Sequence, residues 1–155
     1  SHTVGPMRAA KAFVQKLKDS QLLTHVNYLV SELFGSLALT GKGHGTDLAI
    51  LNGLEGKEPE TCNPTLLRPR MEEIIESQKL NLLEEIYIPF EAEKQLIFHT
   101  RQTLPHHSNG MRFTAYDKQN HILLTQDYYS IGGGFIVDET HFNCSSDSVL
   151  PLQNI

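Results

Sequence analysis

The feature that most constrains the fold of this chain is a change in hydrophobic period between its two halves. Near the start, apolar residues recur at helical spacing in Met7, Ala10, Phe13, Val14 and Leu17. This spacing predicts an amphipathic helix over residues 6–18, with Pro6 as the first helical residue. In the second half, apolar and polar residues mostly alternate, which is typical of half-buried strands. Helices followed by strands predict an α+β domain with helices packed on a mainly antiparallel sheet.

The rest of the first half predicts one strand and two longer helices. Alternation over residues 24–34 favours a strand. The next stretch, GSLALTGKGHGTDLAILNGLEG, predicts a short helical turn, a glycine loop and a helix that is capped by Thr46 or Asp47 and stopped by Gly56. The stretch PRMEEIIESQKLN predicts a further helix with Pro69 near its start.

From about residue 82 onward the pattern is extended. Two alternating segments in GMRFTAYDKQNHILLTQDYY are joined by residues 117–120, and together they predict a β-hairpin. SIGGGFIVDE predicts another strand, in which the three glycines mark a bulge or a close approach of the backbone. We expect one domain over residues 1–145 and the start of a linker over residues 146–155.

Charge and composition narrow the classes of function. The formal net charge is −5, with Lys and Arg scattered along the chain, which argues against a nucleic-acid partner. No apolar run approaches the roughly 20 residues that span a bilayer, and the N-terminus lacks a signal-peptide pattern, so we expect a cytoplasmic protein with no membrane partner. Cys62 and Cys144 are the two cysteines, and their spacing predicts no metal site in this chain.

Three of the eight histidines lie in loops beside small or turn-forming residues: His2 in SHTVGP, His44 in GKGHGT and His107 in PHHSNGM. Imidazole titrates near neutral pH, and glycine neighbours let a substrate approach closely, so these three are candidate acid–base groups. Three other histidines lie inside predicted strands and are interpreted as structural: His25, His99 and His121.

The glycine loop does not have the spacing of a Walker phosphate loop. Five residues separate Gly35 from Gly41, and Lys42 is followed by Gly43 instead of Ser or Thr. The loop still leads into a helix through Gly43, Gly45 and Thr46. It can therefore present backbone N–H groups to an anion, and a carboxylate would suit it.

Four blocks of the sequence together resemble the N-terminal, or beta, domain of bacterial iron–sulfur L-serine dehydratases: SHTVGPMRAA, LFGSLALTGKGHGTDLAILNGLEG, HHSNGMRF and YYSIGGGFI. The resemblance implies a lyase that deaminates L-serine to pyruvate and ammonia in amino-acid degradation and gluconeogenesis. It implies a β-elimination in which a base takes the Cα proton and the hydroxyl leaves with help from a [4Fe-4S] cluster, without pyridoxal phosphate.

The same resemblance implies a partner and a fold. The cluster cysteines of the family lie in a C-terminal domain that is absent here, so the cofactor would be bound there and not by this chain. That domain belongs to the same polypeptide or to a separate subunit, and the enzyme would be a homodimer. The fold implied for this chain is similar to the allosteric substrate-binding domain of D-3-phosphoglycerate dehydrogenase.

Within this resemblance, His2, His44 and His107 are the expected catalytic residues. The expected substrate-binding residues are Ser1, Thr3, Lys42, Gly43, Gly45 and Asn109. We expect a proline after the histidine of the third block, but Ser108 stands there, which makes His106 a competing choice. An alternative role for the domain is a regulatory serine or anion pocket and a dimerisation module without a direct catalytic part.

Overall fold

The computed structural model describes residues 4–41, 45–104, 109–132 and 135–138. The helices are α1 (Val4–Asp19), α2 (Ser36–Gly41), α3 (Thr46–Leu54), α4 (Pro64–Ser77) and α5 (Ala92–Gln95). The strands are β1 (Tyr28–Phe34), β2 (Lys79–Leu82), β3 (Ile86–Pro89), β4 (Leu96–His99), β5 (Gly110–Tyr116), β6 (Ile122–Gly132) and β7 (Phe135–Asp138). None of the helices within these ranges has the length and apolar character that crossing a membrane requires.

The strands form a five-stranded sheet in the order β4-β1-β5-β6-β7 and a separate two-stranded sheet, β2-β3. In the larger sheet β1 pairs in parallel with β4, and the other neighbours are antiparallel. Side chains of α1, α2, α3 and α4 share one core with sheet residues such as Leu33 and Phe113. The predicted α+β class, with helices on a mainly antiparallel sheet, is confirmed.

The first helix is the element that the sequence predicts best. α1 buries Met7, Ala10, Phe13, Val14 and Leu17, which are the apolar positions at helical spacing. Phe13 stacks on Phe113 of β5, with ring centroids 5.4 Å apart. Burial of an apolar side chain of this size contributes about 1.5–3 kcal/mol to folding. The periodic face therefore fixes α1 on the sheet.

The strand predicted over residues 24–34 begins later than expected. Leu23–His25 forms a turn of 3-10 helix, and β1 starts at Tyr28. The amides of His25 and Val26 donate to the carbonyls of Leu22 and Leu23, so the backbone is already turned before the strand begins. The prediction that His25 lies in a strand is therefore wrong. His121 also lies just outside a strand, whereas His99 ends β4 as expected.

The predicted ends of α3 and α4 need correction. The N-cap of α3 is Gly45, in the left-handed region at φ 108°, and Thr46 is already helical. α4 starts at Pro64, because the Asn63 side chain accepts the Thr65 amide, so Pro69 lies inside the helix and not near its start. Gln78 adopts a left-handed conformation that ends α4, and the following residues form β2 instead of continuing the helix.

The region after residue 82 is not uniformly extended, since α5 interrupts it. The Gln95 side chain accepts the Glu91 amide and donates to the Leu29 carbonyl at 3.0 Å, which ties this helical turn to β1. The predicted β5–β6 hairpin is confirmed. Its turn is closed by Asp117, whose carboxylate accepts the amides of Gln119 and His121. The hydrogen bond from the His121 amide lowers the pKa of Asp117.

Candidate functional site

Four segments of the chain enter or leave the larger sheet at one end. β1 and β4 both finish there, as Phe34 pairs with His99. β5 begins and β6 finishes there, as Gly110 pairs with Tyr129. We call this edge the site end of the sheet, defined by Phe34, His99, Gly110 and Tyr129. β1 and β4 are parallel, and β5 is antiparallel to β1. The segments that lead from the strands to the second and third sequence blocks therefore all lie at the site end.

Most of the site residues predicted from the sequence lie outside the described residues: Ser1, His2, Thr3, Lys42, Gly43, His44, His107 and the competing choice His106. Gly45 and Asn109 are described. The candidate site can therefore be located from the residues that flank each missing stretch, namely Val4, Gly41, Gly45, Leu104 and Asn109.

The first sequence block is held against the fourth at the start of α1. A Cβ atom on Gly5 would overlap Ser130 Oγ and would lie 3.0 Å from Ser130 Cβ. Only glycine lets the helix start approach β6 this closely. The Ser130 amide in turn donates to the Asn109 carbonyl at 2.9 Å. Ser130 thus connects the beginning of α1 to the described end of the third block.

The second block leaves β1 at the site end. The Gly35 amide donates to the Gln102 carbonyl at 2.8 Å, so the segment after β1 is joined to the segment after β4. Leu37 and Ala38 of α2 are buried in the core. α2 then ends at Gly41, and the chain is described again from Gly45, whose carbonyl accepts the Ala49 amide in the first turn of α3.

The third block starts from a small apolar cluster. Leu104 packs with Phe34, Tyr129 and Ile131. Its side chain lies over Gly110, where an added Cβ would be 2.8 Å from Leu104 Cδ1. Leu104 and Asn109 therefore position both ends of the stretch that carries His106 and His107.

Two polar side-chain pairs on the opposite face of the sheet from the helices were not expected from the sequence. His99 Nε2 lies 2.9 Å from Glu32 Oε1, and the His99 ring stacks on Phe34 with centroids 4.6 Å apart. Arg112 donates to both oxygens of Asp127, at 2.7 and 3.0 Å. Glu32 and His99 are distant in sequence, so only the register of the sheet brings them together.

Within the described ranges, no group of three or more His, Cys, Asp and Glu side chains could hold a metal ion. Cys62 is a free, partly exposed thiol, and Cys144 lies outside those ranges. The described residues thus do not fit an iron–sulfur cluster, which needs several thiolate ligands close together.

An open groove of about 600 Å³ lies between α4 and the β2–β3 hairpin. Its basic lining residues are Arg70 and Lys79. Arg70 donates from Nε and Nη2 to the buried Glu55 and from Nη1 to Glu73, and the hydrogen bonds to Glu55 raise the pKa of Arg70 above its already high usual value. Lys79 makes no ion pair with any residue in the described parts of the chain. Lys79 is therefore the basic side chain of this groove that can pair with a bound anion.

Comparison with known proteins identifies a family and several similar proteins. Residues 1–141 match the family model of the serine dehydratase beta chain. The chain is 47% identical over 139 residues to an L-serine dehydratase of Streptomyces coelicolor, which covers 90% of this chain and 30% of that protein. It is 47% identical over 148 residues to L-serine dehydratase TdcG of Escherichia coli, covering 95% and 32%, and 38% identical over 147 residues to an L-serine dehydratase of Helicobacter pylori, covering 95% and 32%. The chain spans about a third of the length of these relatives.

Proposed function

Because this chain belongs to the serine dehydratase beta chain family, we propose that it supplies active-site loops to an enzyme that converts L-serine to pyruvate and ammonia. The observation that carries this role is the site end of the sheet. The Gly35–Gln102 and Ser130–Asn109 hydrogen bonds, together with the packing of Gly5 on Ser130, hold four segments at this end: the start of α1, the segments that follow β1 and β4, and the described end of the third block. Loops that start from the site end of the sheet can contact the same small substrate.

The proposed reaction needs a proton acceptor, a proton donor and a clamp for the substrate carboxylate. A base removes the Cα proton, the Cβ–O bond breaks, and the hydroxyl leaves as water once it is protonated. The resulting aminoacrylate tautomerises to an imine, which water hydrolyses to pyruvate and ammonia. His2, His44 and His107, with His106 as the competing choice, are the groups of this chain with the chemistry for the proton transfers.

The carboxylate clamp is assigned to the start of α3 and to the loop before it. Lys42 supplies a positive charge, and the backbone N–H group of Gly45 lies at the N-cap of α3, where the helix dipole favours an anion. We assign the N–H group of Gly43 to the same clamp. Ser1, Thr3 and Asn109 are assigned as hydrogen-bonding partners of the substrate. Gly45 at the N-cap of α3 supports this assignment, because the first amides of a helix have no partner within the helix.

The relatives extend well beyond the matched third of their length, which supports a further domain or subunit in the working protein. We assign the [4Fe-4S] cluster, which is needed in place of pyridoxal phosphate, to that C-terminal part. Four further expectations stay predictions: a homodimer, a cytoplasmic setting, the domain limits at residues 145 and 146, and the likeness to the allosteric domain of D-3-phosphoglycerate dehydrogenase.

The proposed roles of this chain and of the C-terminal part can be tested by comparing the isolated chain with the full-length protein. We expect the isolated chain to contain no iron and to form no pyruvate from L-serine, whereas the full-length protein forms pyruvate under reducing, oxygen-free conditions. Pyruvate is measured with lactate dehydrogenase and iron by a colorimetric chelator. Turnover by the isolated chain would contradict the proposal that this chain needs a further domain for activity. An inactive but iron-loaded full-length protein would contradict the serine reaction itself.

The groove beside α4 favours the second candidate function, a regulatory site for a small carboxylate. Lys79 supplies a cation there, and the adjoining side chains of Ser77 and Tyr87 can donate hydrogen bonds. Under the first proposal, calorimetry of the isolated domain with L-serine should show no saturable heat. Saturable binding that disappears in Lys79→Ala, but persists in the control Lys118→Ala in the β5–β6 turn, would support the regulatory function instead.

A further inference from the structure

Two segments that lead to candidate site loops leave the sheet side by side. The β1 exit, residues 35–41, leads to Lys42, Gly43 and His44. The β4 exit, residues 100–104, leads to His106 and His107. Because β1 and β4 pair in parallel through Phe34 and His99, both exits begin at the same point of the site end. A contact that holds Phe34 and His99 in place therefore affects the starting position of both exits.

Three contacts fasten the exits together. The Gly35 amide donates to the Gln102 carbonyl at 2.8 Å. The His99 ring stacks nearly parallel on Phe34, with an angle of 16° between the ring planes. The Glu32 carboxylate then holds His99 Nε2 at 2.9 Å. The Glu32 and His99 side chains are 22% and 26% exposed, so their hydrogen bond is partly shielded from water and is stronger than one on an open surface.

We propose that Glu32 and His99 form a positioning pair, which orients the β1 and β4 exits and thereby the two loops that they carry. A partly buried carboxylate–imidazole hydrogen bond contributes only modest net stability, because both groups give up hydrogen bonds to water when they form it. An apolar pair at this site would join the strands as well. What the hydrogen-bonded pair adds is a fixed direction for the His99 ring, and through its stack on Phe34 a fixed direction for Gly35.

The pair acts through other groups and does not itself touch the substrate in this proposal. The Nε2 atom of His99 is already engaged by Glu32. The next charged groups along the sheet are Arg112 and Asp127, which are paired with each other, and the Arg112 guanidinium lies 5.8 Å from the centroid of the Phe34 ring. The effect of the pair on serine turnover rests on the proposed function, while its effect on the two exits does not.

The test compares His99→Ala, Glu32→Ala and the conservative His99→Gln in the full-length protein. A glutamine amide nitrogen can replace Nε2 as the donor to Glu32. The matched control is His121→Ala, since His121 also lies near a carboxylate, Asp117, but in the turn at the far end of β5 and β6. In both alanine variants, amide hydrogen exchange should become faster in peptides covering residues 35–41 and 100–104 together, and unchanged around the β5–β6 turn.

Turnover provides the second measurement. We expect kcat/KM for L-serine to fall by about 10- to 100-fold in the alanine variants, with KM raised as well as kcat lowered, because misplaced loops bind and orient the substrate less well. A merely structural role would reduce the folded fraction and lower kcat alone. His99→Gln should recover most of the loss, and His121→Ala should match the wild type.

Each outcome decides a separate point. Faster exchange in only one exit, or in neither, overturns the positioning pair. Faster exchange in both exits with unchanged kinetics overturns its part in the reaction. Faster exchange in both exits of a full-length protein that never turns over serine leaves the positioning pair standing and refutes the proposed function. If an alanine variant fails to fold, Glu32→Leu or His99→Phe serves in its place for the same measurements, because each removes the hydrogen bond but keeps most of the side-chain volume.

Discussion

Replacing His44 with alanine in the full-length protein should lower the turnover of L-serine by a factor on the order of 10²–10⁴, which is the contribution of a positioned acid or base. His44 belongs to the glycine loop between α2 and α3, whose flanks Gly41 and Gly45 end one helix and cap the next. The imidazole would work beside the carboxylate clamp, so its loss should reduce kcat more than it raises KM. Steady-state kinetics of pyruvate release measure both constants.

His121→Ala is the control for His44→Ala as well, because this exposed histidine lies at the opposite end of the sheet. It should leave turnover within about twofold of the wild type, as surface substitutions away from a site usually do. Near-normal turnover by His44→Ala would make this histidine structural. The same assay on His106→Ala and His107→Ala decides which histidine of the third block acts in the reaction.

Replacing Glu55 with alanine should destabilise the domain by about 3 kcal/mol, as expected for a buried carboxylate that accepts several hydrogen bonds. The Glu55 side chain is 2% exposed and follows the last turn of α3. It accepts two bonds from the Arg70 guanidinium and one from the Asn81 amide, at 2.7 to 2.8 Å. Removing it leaves the Asn81 amide without its acceptor and removes the hydrogen bonds that Glu55 makes to α4 and β2.

Glu73→Ala is the matched control, because Glu73 pairs with the same arginine but is 69% exposed. Solvent weakens an exposed pair, so the loss should be about 0.5 kcal/mol or less. Urea unfolding followed by circular dichroism measures the free energy of unfolding for both variants. Equal losses would show that burial does not set the strength of the Arg70 contacts.

Sequence patterns predict the elements whose structure depends on residues that are close together in the chain. α1 follows from apolar residues at helical spacing, and the β5–β6 turn follows from Asp117 and its side-chain hydrogen bonds to nearby amides. The predicted end of α4 is wrong because no Gly or Pro follows Ser77 in residues 78–82 to mark the end of the helix. There Gln78 turns the chain and residues 79–82 pair with β3, a contact that no local pattern reveals.

The candidate site divides in the same way. The four blocks that carry the histidines and glycines could be identified from the sequence, since each is a continuous run of residues. The contacts that bring their flanks to one edge are long-range: Gly5 with Ser130, Gly35 with Gln102, and Glu32 with His99. Their partners are separated in the chain by many residues, so no local pattern could have found them.

The sequence by itself determined the class of fold, the family to which the chain belongs and the residue types available for chemistry, because periodicity and contiguous blocks are local properties. The tertiary structure decided where those blocks meet. The pairing of β1 with β4 in parallel, and with β5 in the opposite direction, places their loops at one edge. The same register sets His99 beside Glu32, since a shift by one residue would turn either side chain to the other face of the sheet.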